Sequence, residues 1–171
     1  KPNIENIEII AVPDAYTRTL GLVSDQLDIA LSIGPDEITF IENSGGKGVA
    51  WLSADLWSIN FHHKKGTPMD NIEVREALNL AINRKELIDG LLNGVPEIPS
   101  QPAPRNAYGF NDKLDPIKYD PERAKALLAD AGFPNGFSFV LEGAIGVGAN
   151  DSAMYQKVAQ DLSMIGVKMK I

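Results

Sequence analysis

The residues Asp70-Asn71-Ile72-Glu73-Val74-Arg75-Glu76-Ala77-Leu78-Asn79-Leu80-Ala81-Ile82-Asn83-Arg84-Lys85-Glu86 decide how this chain folds. Asp70 and Glu73 have the spacing of a capping box, in which a side-chain oxygen accepts from a free backbone N–H and a glutamate three residues on reaches back. Val74, Ala77, Leu78, Ala81 and Ile82 then recur at helical spacing and mark one apolar face. Asn83 and Glu86 repeat the capping pattern inside the run, which predicts two abutting helices, the second ending near Asn93-Gly94.

Toward the C-terminus, Val95 to Tyr119 contains Pro96, Pro99, Pro102, Pro104 and Pro116, a density that neither a helix nor a central strand tolerates. Asp120-Pro121 has a cap and a first-turn proline in helical order, and that helix stops at Gly132 before Pro134. Phe137 to Leu141 reads as a strand, Gly143 to Asn150 as a glycine-rich loop, Ser152 to Ile165 as a helix closed by Gly166, and Val167 to Ile171 as an alternating strand. Toward the N-terminus, Ile7, Ile9, Ile10 and Val12 predict a strand stopped by Pro13, and Asp14 predicts a helix running to about Ser24. Leu27-Asp28-Ile29-Ala30-Leu31 reads as a short buried strand, Pro35 with Asp36 and Glu37 as a helix start, and Val49 to Phe61 as extended chain. Alternating strands and helices indicate an α/β protein, and the change of character between Ala50 and Pro68 suggests a lobe boundary.

The chain has 171 residues, 23 acidic and 16 basic, giving a formal charge of −7. A pI near 4.8 argues against non-specific binding to nucleic acid or anionic membrane, since both require a cationic face. With no cysteine, disulfide scaffolds, thiolate zinc sites and cysteine nucleophiles are excluded. No apolar run approaches the ~20 residues that span a bilayer. Lys1-Pro2-Asn3-Ile4-Glu5 lacks the basic and apolar stretches of a signal peptide, and composition alone leaves open whether the chain is mature or a piece of something longer.

Few constellations suggest chemistry. Ser44-Gly45-Gly46-Lys47-Gly48 lacks the spacing of a phosphate-binding loop and reads as a turn. Gly143-Ala144-Ile145-Gly146-Val147-Gly148 joins a strand to a helix, where backbone amides can hold an anion or a ligand carbonyl. His62 and His63 would point to opposite sides of an extended strand, so they are poorly placed to share a metal. No serine stands in a nucleophile elbow. Trp51 reads as packing, whereas Trp57 is balanced between packing and a ligand face; Asn150 reads as a helix cap. No catalytic residue, metal ligand or cofactor emerges, so an enzyme is disfavoured.

Pro68 to Arg84 resembles the signature of the peptide/nickel-type solute-binding proteins of ABC importers, family 5. Tyr119-Asp120-Pro121-Glu122-Arg123-Ala124-Lys125-Ala126-Leu127-Leu128-Ala129-Asp130-Ala131-Gly132-Phe133 matches that family's second hallmark. Gln26-Leu27-Asp28-Ile29-Ala30 and Trp57-Ser58-Ile59-Asn60-Phe61 are similar to two of its strands. Glu76 and Asn83 depart from the family's usual Gln and Asp.

The resemblance implies a fragment of a two-lobed, type II periplasmic-binding-protein fold, with a mixed sheet flanked by helices. Residues 1–55 would be the C-terminal part of lobe one with a hinge strand near Asp55 to Trp57, and residues 56–171 the first half of lobe two. It implies capture of a peptide or related small solute between hinged lobes and delivery to permease subunits of an importer, outside the cytoplasm and with no signal peptide in this chain. The full-length protein would be monomeric. Carried onto this sequence, the ligand-facing positions are Leu31, Ser32, Ile33, Gly34, Trp57 and Asn150. The alternative function is an enzyme or sensor that holds a phosphorylated ligand in the loop at 143–148.

Overall fold

A computed structural model of the chain describes residues 3–49, 56–62, 64–105, 107–145, 148 and 150–171. The chain divides into two compact units: Lys1–Ala50 with Ile145–Ala149, and Trp51–Ala144 with Asn150–Ile171. Residues 50–55, including the expected start of the hinge strand at Asp55, lie outside the described residues, as does Trp51.

In the smaller unit, α1 (Ala15–Val23) starts at Asp14, whose carboxylate accepts from the Thr17 N–H at 2.7 Å and the Thr17 hydroxyl at 2.6 Å. These bonds, the hydroxyl's first, hold the Asp14 carboxyl below its ordinary pKa. α2 (Pro35–Asn43) opens on proline, as expected. It closes through Gly45, whose φ of +90° lets the Gly46 N–H reach Ile41 O at 3.0 Å. The Ser44 to Gly48 stretch therefore begins as a helix terminus rather than a cradle for phosphate. Thr19 and Ile41 are buried, and the Leu27 side chain approaches Gly21 so closely that a Cβ there would meet it at 2.9 Å.

The strands expected at Ile7 to Val12 and Leu27 to Leu31 are not formed: both segments lack strand pairing, and Ile9 is 92% exposed. A β-strand exists through its neighbour's ladder of hydrogen bonds, and no described segment pairs with either stretch. Their alternation is that of strands, but the partner decides the outcome.

The larger unit begins with a 3-10 turn at Pro68–Asp70, then α3 (Ile72–Leu80) and α4 (Arg84–Leu91). Asn71, not Asp70, caps α3: its side-chain oxygen accepts from the Glu73 N–H at 2.8 Å, while Asp70 accepts from Gly66 N–H. Pro68 starts a turn whose own bond, Asn71 N–H to Pro68 O at 3.3 Å, draws Asp70 into helical backbone, so the first extended residue is Asn71. The second cap forms as expected. Asn83 Oδ1 accepts from Glu86 N–H at 3.2 Å and its Nδ2 donates to Glu86 Oε2 at 3.1 Å.

Asp120 caps α5 (Pro121–Asp130) through Arg123 N–H, and its own N–H donates to Leu80 O at 2.9 Å, tying the start of α5 to the end of α3. Glu76 pairs with Arg123 at 3.2 Å across the same two helices. Ala77, Ala81 and Ala124 are fully buried, and such small side chains allow close helix approach. β1 (Ser138–Val140) and β2 (Lys168–Lys170) pair in parallel, Phe139 opposite Met169, with α6 (Asp151–Ser163) as the crossover that parallel strands require. Val74, Leu78, Leu128, Val158, Leu162 and Val167 form the centre of the core.

Two carboxylates are buried in this unit, Asp151 at the start of α6 and Asp161 near its end. Asp161, 2% exposed, accepts from Asn83 N–H at 3.0 Å and from Lys157 Nζ at 2.6 Å. Lys157 also reaches Glu86 at 3.1 Å, so Asn83, Asp161, Lys157 and Glu86 close a ring of hydrogen bonds. Burial opposes the charge on Lys157, yet its bonds to Asp161 and Glu86 outweigh it and raise its pKa above the ordinary 10.5.

In the whole protein, Asp161→Ala is expected to lower stability by about 3 kcal/mol, because a buried donor and a half-buried ammonium lose their partner. Urea unfolding of the ligand-free form measures it, with the midpoint falling at constant slope. Because the lysine pKa is raised on folding, its contribution is complete below pH 10.5 and fades as pH rises through the higher folded value. The gap between wild type and variant therefore narrows in strong alkali. A loss under about 1 kcal/mol at pH 7 contradicts the assignment.

Candidate functional site

The expected ligand-facing residues fall on two pieces of structure. Leu31, Ser32, Ile33 and Gly34 form one loop in the smaller unit, immediately before α2. Trp57 and Asn150 belong to the larger unit.

Leu31 is 63% exposed and Gly34 is buried as the residue preceding α2. Ser32 holds φ at +54°, an unfavourable conformation for a side chain other than glycine. Arg18 on α1 explains how it persists. Its guanidinium donates to Leu31 O at 3.0 Å, Ser32 O at 2.8 Å, Val12 O at 2.7 Å and Pro13 O at 2.9 Å. One fixed fork of donors thereby clamps two separate backbone segments, which a lysine's point charge does not reproduce. The backbone N–H groups of Leu31, Ser32 and Ile33 have no hydrogen-bond acceptor among the described residues. The Leu31 and Ser32 carbonyls are thus committed to Arg18, while the N–H donors from Leu31 to Ile33 have no acceptor among the described residues.

Trp57 is 39% exposed, and its ring lies 5.5 Å from that of Tyr155 at a 34° tilt. That geometry is neither full core packing nor free exposure: Tyr155 lies beside the indole while part of the ring meets solvent. Asn150 occupies the N-cap position of α6, but its side chain does not cap the helix. It has left-handed backbone, φ +60°, and its Nδ2 donates to Leu91 O at 2.7 Å. Left-handed backbone turns the side chain away from the N–H groups of the first turn, and the end of α4 supplies the acceptor instead. The capping expectation for Asn150 is therefore corrected: it ties α6 to α4.

Of the glycine-rich stretch, Gly146 and Val147 lie outside the described residues. A buried acid, Asp151, opens α6, and a carboxylate in that first turn competes with any phosphate for the positive end of the helix. His62 is exposed and His63 lies outside the described residues; among the described residues no cluster of three or more His, Asp or Glu could hold a metal ion.

Two residues escaped sequence reading. Arg18 contacts Leu31 and Ser32 across 13 and 14 positions, and nothing in its neighbourhood announces that reach. Tyr155 lies on the apolar stripe of α6 with Met154, Val158 and Leu162, where it reads as core. Its hydroxyl was the available signal, since a buried phenol needs a partner; here it donates to Ala144 O at 3.0 Å.

Comparison with known proteins gives the family. The sequence profile described as bacterial extracellular solute-binding proteins, family 5 Middle, matches residues 1–171. The chain is 32% identical to the heme-binding protein A of Haemophilus influenzae, over 96% of this chain and 31% of that protein. It is 29% identical to the dipeptide-binding protein of Escherichia coli, over 100% of this chain and 32% of that protein. Among solved structures it resembles the ABC transporter-associated periplasmic binding protein DppA from Helicobacter pylori in complex with peptide STSA. That match has a TM-score of 0.76 and 27% identity, covering 94% of this chain and 31% of that one. The chain thus spans about a third of the length of the relatives it matches. It belongs to the bacterial extracellular solute-binding proteins of family 5 and carries part of their type II periplasmic-binding fold.

Proposed function

We propose that the whole protein is the substrate-binding component of an ABC importer, which captures a peptide or related small solute between two hinged lobes and delivers it to permease subunits outside the cytoplasm. Family members are solute-binding transport proteins, and the match across residues 1–171 is the observation that carries this reading. In this scheme no bond of the solute is made or broken. Closure expels water and adds contacts from the second lobe, so affinity reports the population of the closed state.

Peptide is the favoured ligand class because the loop at Leu31 to Ile33 offers N–H donors with no acceptor among the described residues. An extended peptide presents carbonyls at strand spacing, and main-chain pairing gives affinity with little demand on side-chain identity. Arg18 favours this use by fixing the loop's carbonyls, and so the direction in which its N–H groups point. Leu31, Ser32, Ile33 and Gly34 would bind the ligand backbone, Trp57 would cover a side chain, and Asn150 would act by placing the start of α6.

Calorimetric titration of the whole protein with the tetrapeptide Ser-Thr-Ser-Ala, the dipeptide Ala-Phe and haemin tests the ligand class. The expected result is binding of at least one peptide with Kd in the micromolar range or tighter and none of haemin. Binding of haemin alone, or of none of the three, overturns the peptide reading. In the same protein, Arg18→Met is expected to weaken peptide binding about tenfold, with Arg18→Lys failing to restore it, because one ammonium cannot span all the carbonyls held by the fork. Unchanged affinity in a folded Arg18→Met protein excludes the loop from the site.

A further inference from the structure

We infer that Tyr155 is a positioning residue: it fixes both the indole of Trp57 and the start of the glycine-rich segment at Gly143 and Ala144, so that an apolar or planar ligand side chain meets a pre-set aromatic surface. The inference rests on the solute-binding reading above.

Three observations meet on this one side chain. Its ring lies 5.5 Å from that of Trp57. Its hydroxyl donates to Ala144 O at 3.0 Å. The ring also occupies the space a side chain at residue 143 would need: a Cβ on Gly143 would lie 2.7 Å from Tyr155 Cζ. Gly143 is thus glycine because Tyr155 passes beneath it.

A core role alone does not explain the hydroxyl. Its neighbours on the α6 stripe, Met154, Val158 and Leu162, are apolar and buried, and a phenylalanine would fill the same volume. Nor does Trp57 behave as a core residue, with 39% of its surface exposed. Tyr155 itself is 8% exposed and is mounted on a helix tied at both ends, by Asn150 to Leu91 and by Asp161 to Asn83. A side chain on such a mount has little freedom, so what rests on it is placed before any ligand arrives. Offset aromatic pairs favour particular arrangements, and an indole ordered in advance spares binding the entropy of ordering it.

The test uses the whole protein and has a ligand-free arm. The indole N–H resonance of Trp57, identified by its loss in Trp57→Phe, and the carbonyl carbon resonance of Ala144, which accepts from the tyrosine hydroxyl, are measured in three variants. Tyr155→Phe is expected to leave the indole resonance in place while shifting the Ala144 carbonyl resonance, because that carbonyl loses its hydroxyl donor. Tyr155→Leu is expected to shift the Ala144 carbonyl resonance likewise and, unlike Tyr155→Phe, to shift the indole resonance as well. Gly143→Ala, which keeps the tyrosine but denies its ring the space, is expected to reproduce both effects. An unchanged Ala144 carbonyl resonance in Tyr155→Phe, or an unmoved indole in Gly143→Ala, overturns the proposal, and both remain readable if Tyr155→Leu does not fold.

The second arm is affinity for Ala-Phe. A loss of about fivefold in Tyr155→Phe, with melting of the empty form unchanged, supports positioning; equal affinity contradicts it. If the wild type does not bind Ala-Phe, that dipeptide fails as a ligand, while the ligand-free arm still decides what Tyr155 does.

Discussion

The buried carboxylate of Asp161 governs the larger unit. A charge taken out of water is costly, and it persists only where hydrogen bonds and an opposite charge replace the lost hydration. Asn83 N–H and Lys157 supply these, and each brings its own element with it: Asn83 stands at the break between α3 and α4, Lys157 on α6. The helix cap and the interior ion pair are therefore one structure. Asn83 uses its backbone N–H for Asp161 and its side chain for Glu86, and Lys157 completes the circuit. An aspartate at 83 would place a third carboxylate in this ring, whereas asparagine contributes a donor.

From this junction the rest of the unit follows. With α6 held against the α3–α4 break, the parallel strands on either side of it are brought into register, and Val158 and Leu162 meet Leu78 and Leu128 in one core. α5 is added through Asp120 and Leu80, with Glu76 and Arg123 pairing outside. The same rigid helix carries Tyr155, and through it Trp57 and Ala144. Stability and presentation of the candidate site thus share a scaffold, although the residues that stabilise it differ from those that would touch a solute.

The smaller unit works by another device. Its apolar segments remain largely exposed, and a single guanidinium on α1 organises the loop before α2 by collecting carbonyls from two stretches of chain. Carbonyl groups carry only partial negative charge, so no one bond is strong, but the fork makes them together and fixes the left-handed backbone at Ser32 that would otherwise relax.

The helices were legible residue by residue because their signals are local: Asp14, Asn83 and Asp120 cap within three residues of themselves, and Gly132 and Gly166 end helices by taking left-handed backbone. Even the one displaced cap, Asn71 for Asp70, moved by a single position under the influence of Pro68. The strand at 138–140 was legible together with its partner, since both lie within one crossover unit. What tertiary structure alone decided is everything that needs a distant partner: the unpaired segments at 7–12 and 27–31, the carbonyls collected by Arg18, the diversion of Asn150 from cap to Leu91, and the hydroxyl of Tyr155 beneath Gly143. Capping is satisfied within a turn of backbone. A ladder, a clamp or a buried phenol is satisfied only by a group that folding brings from elsewhere in the chain.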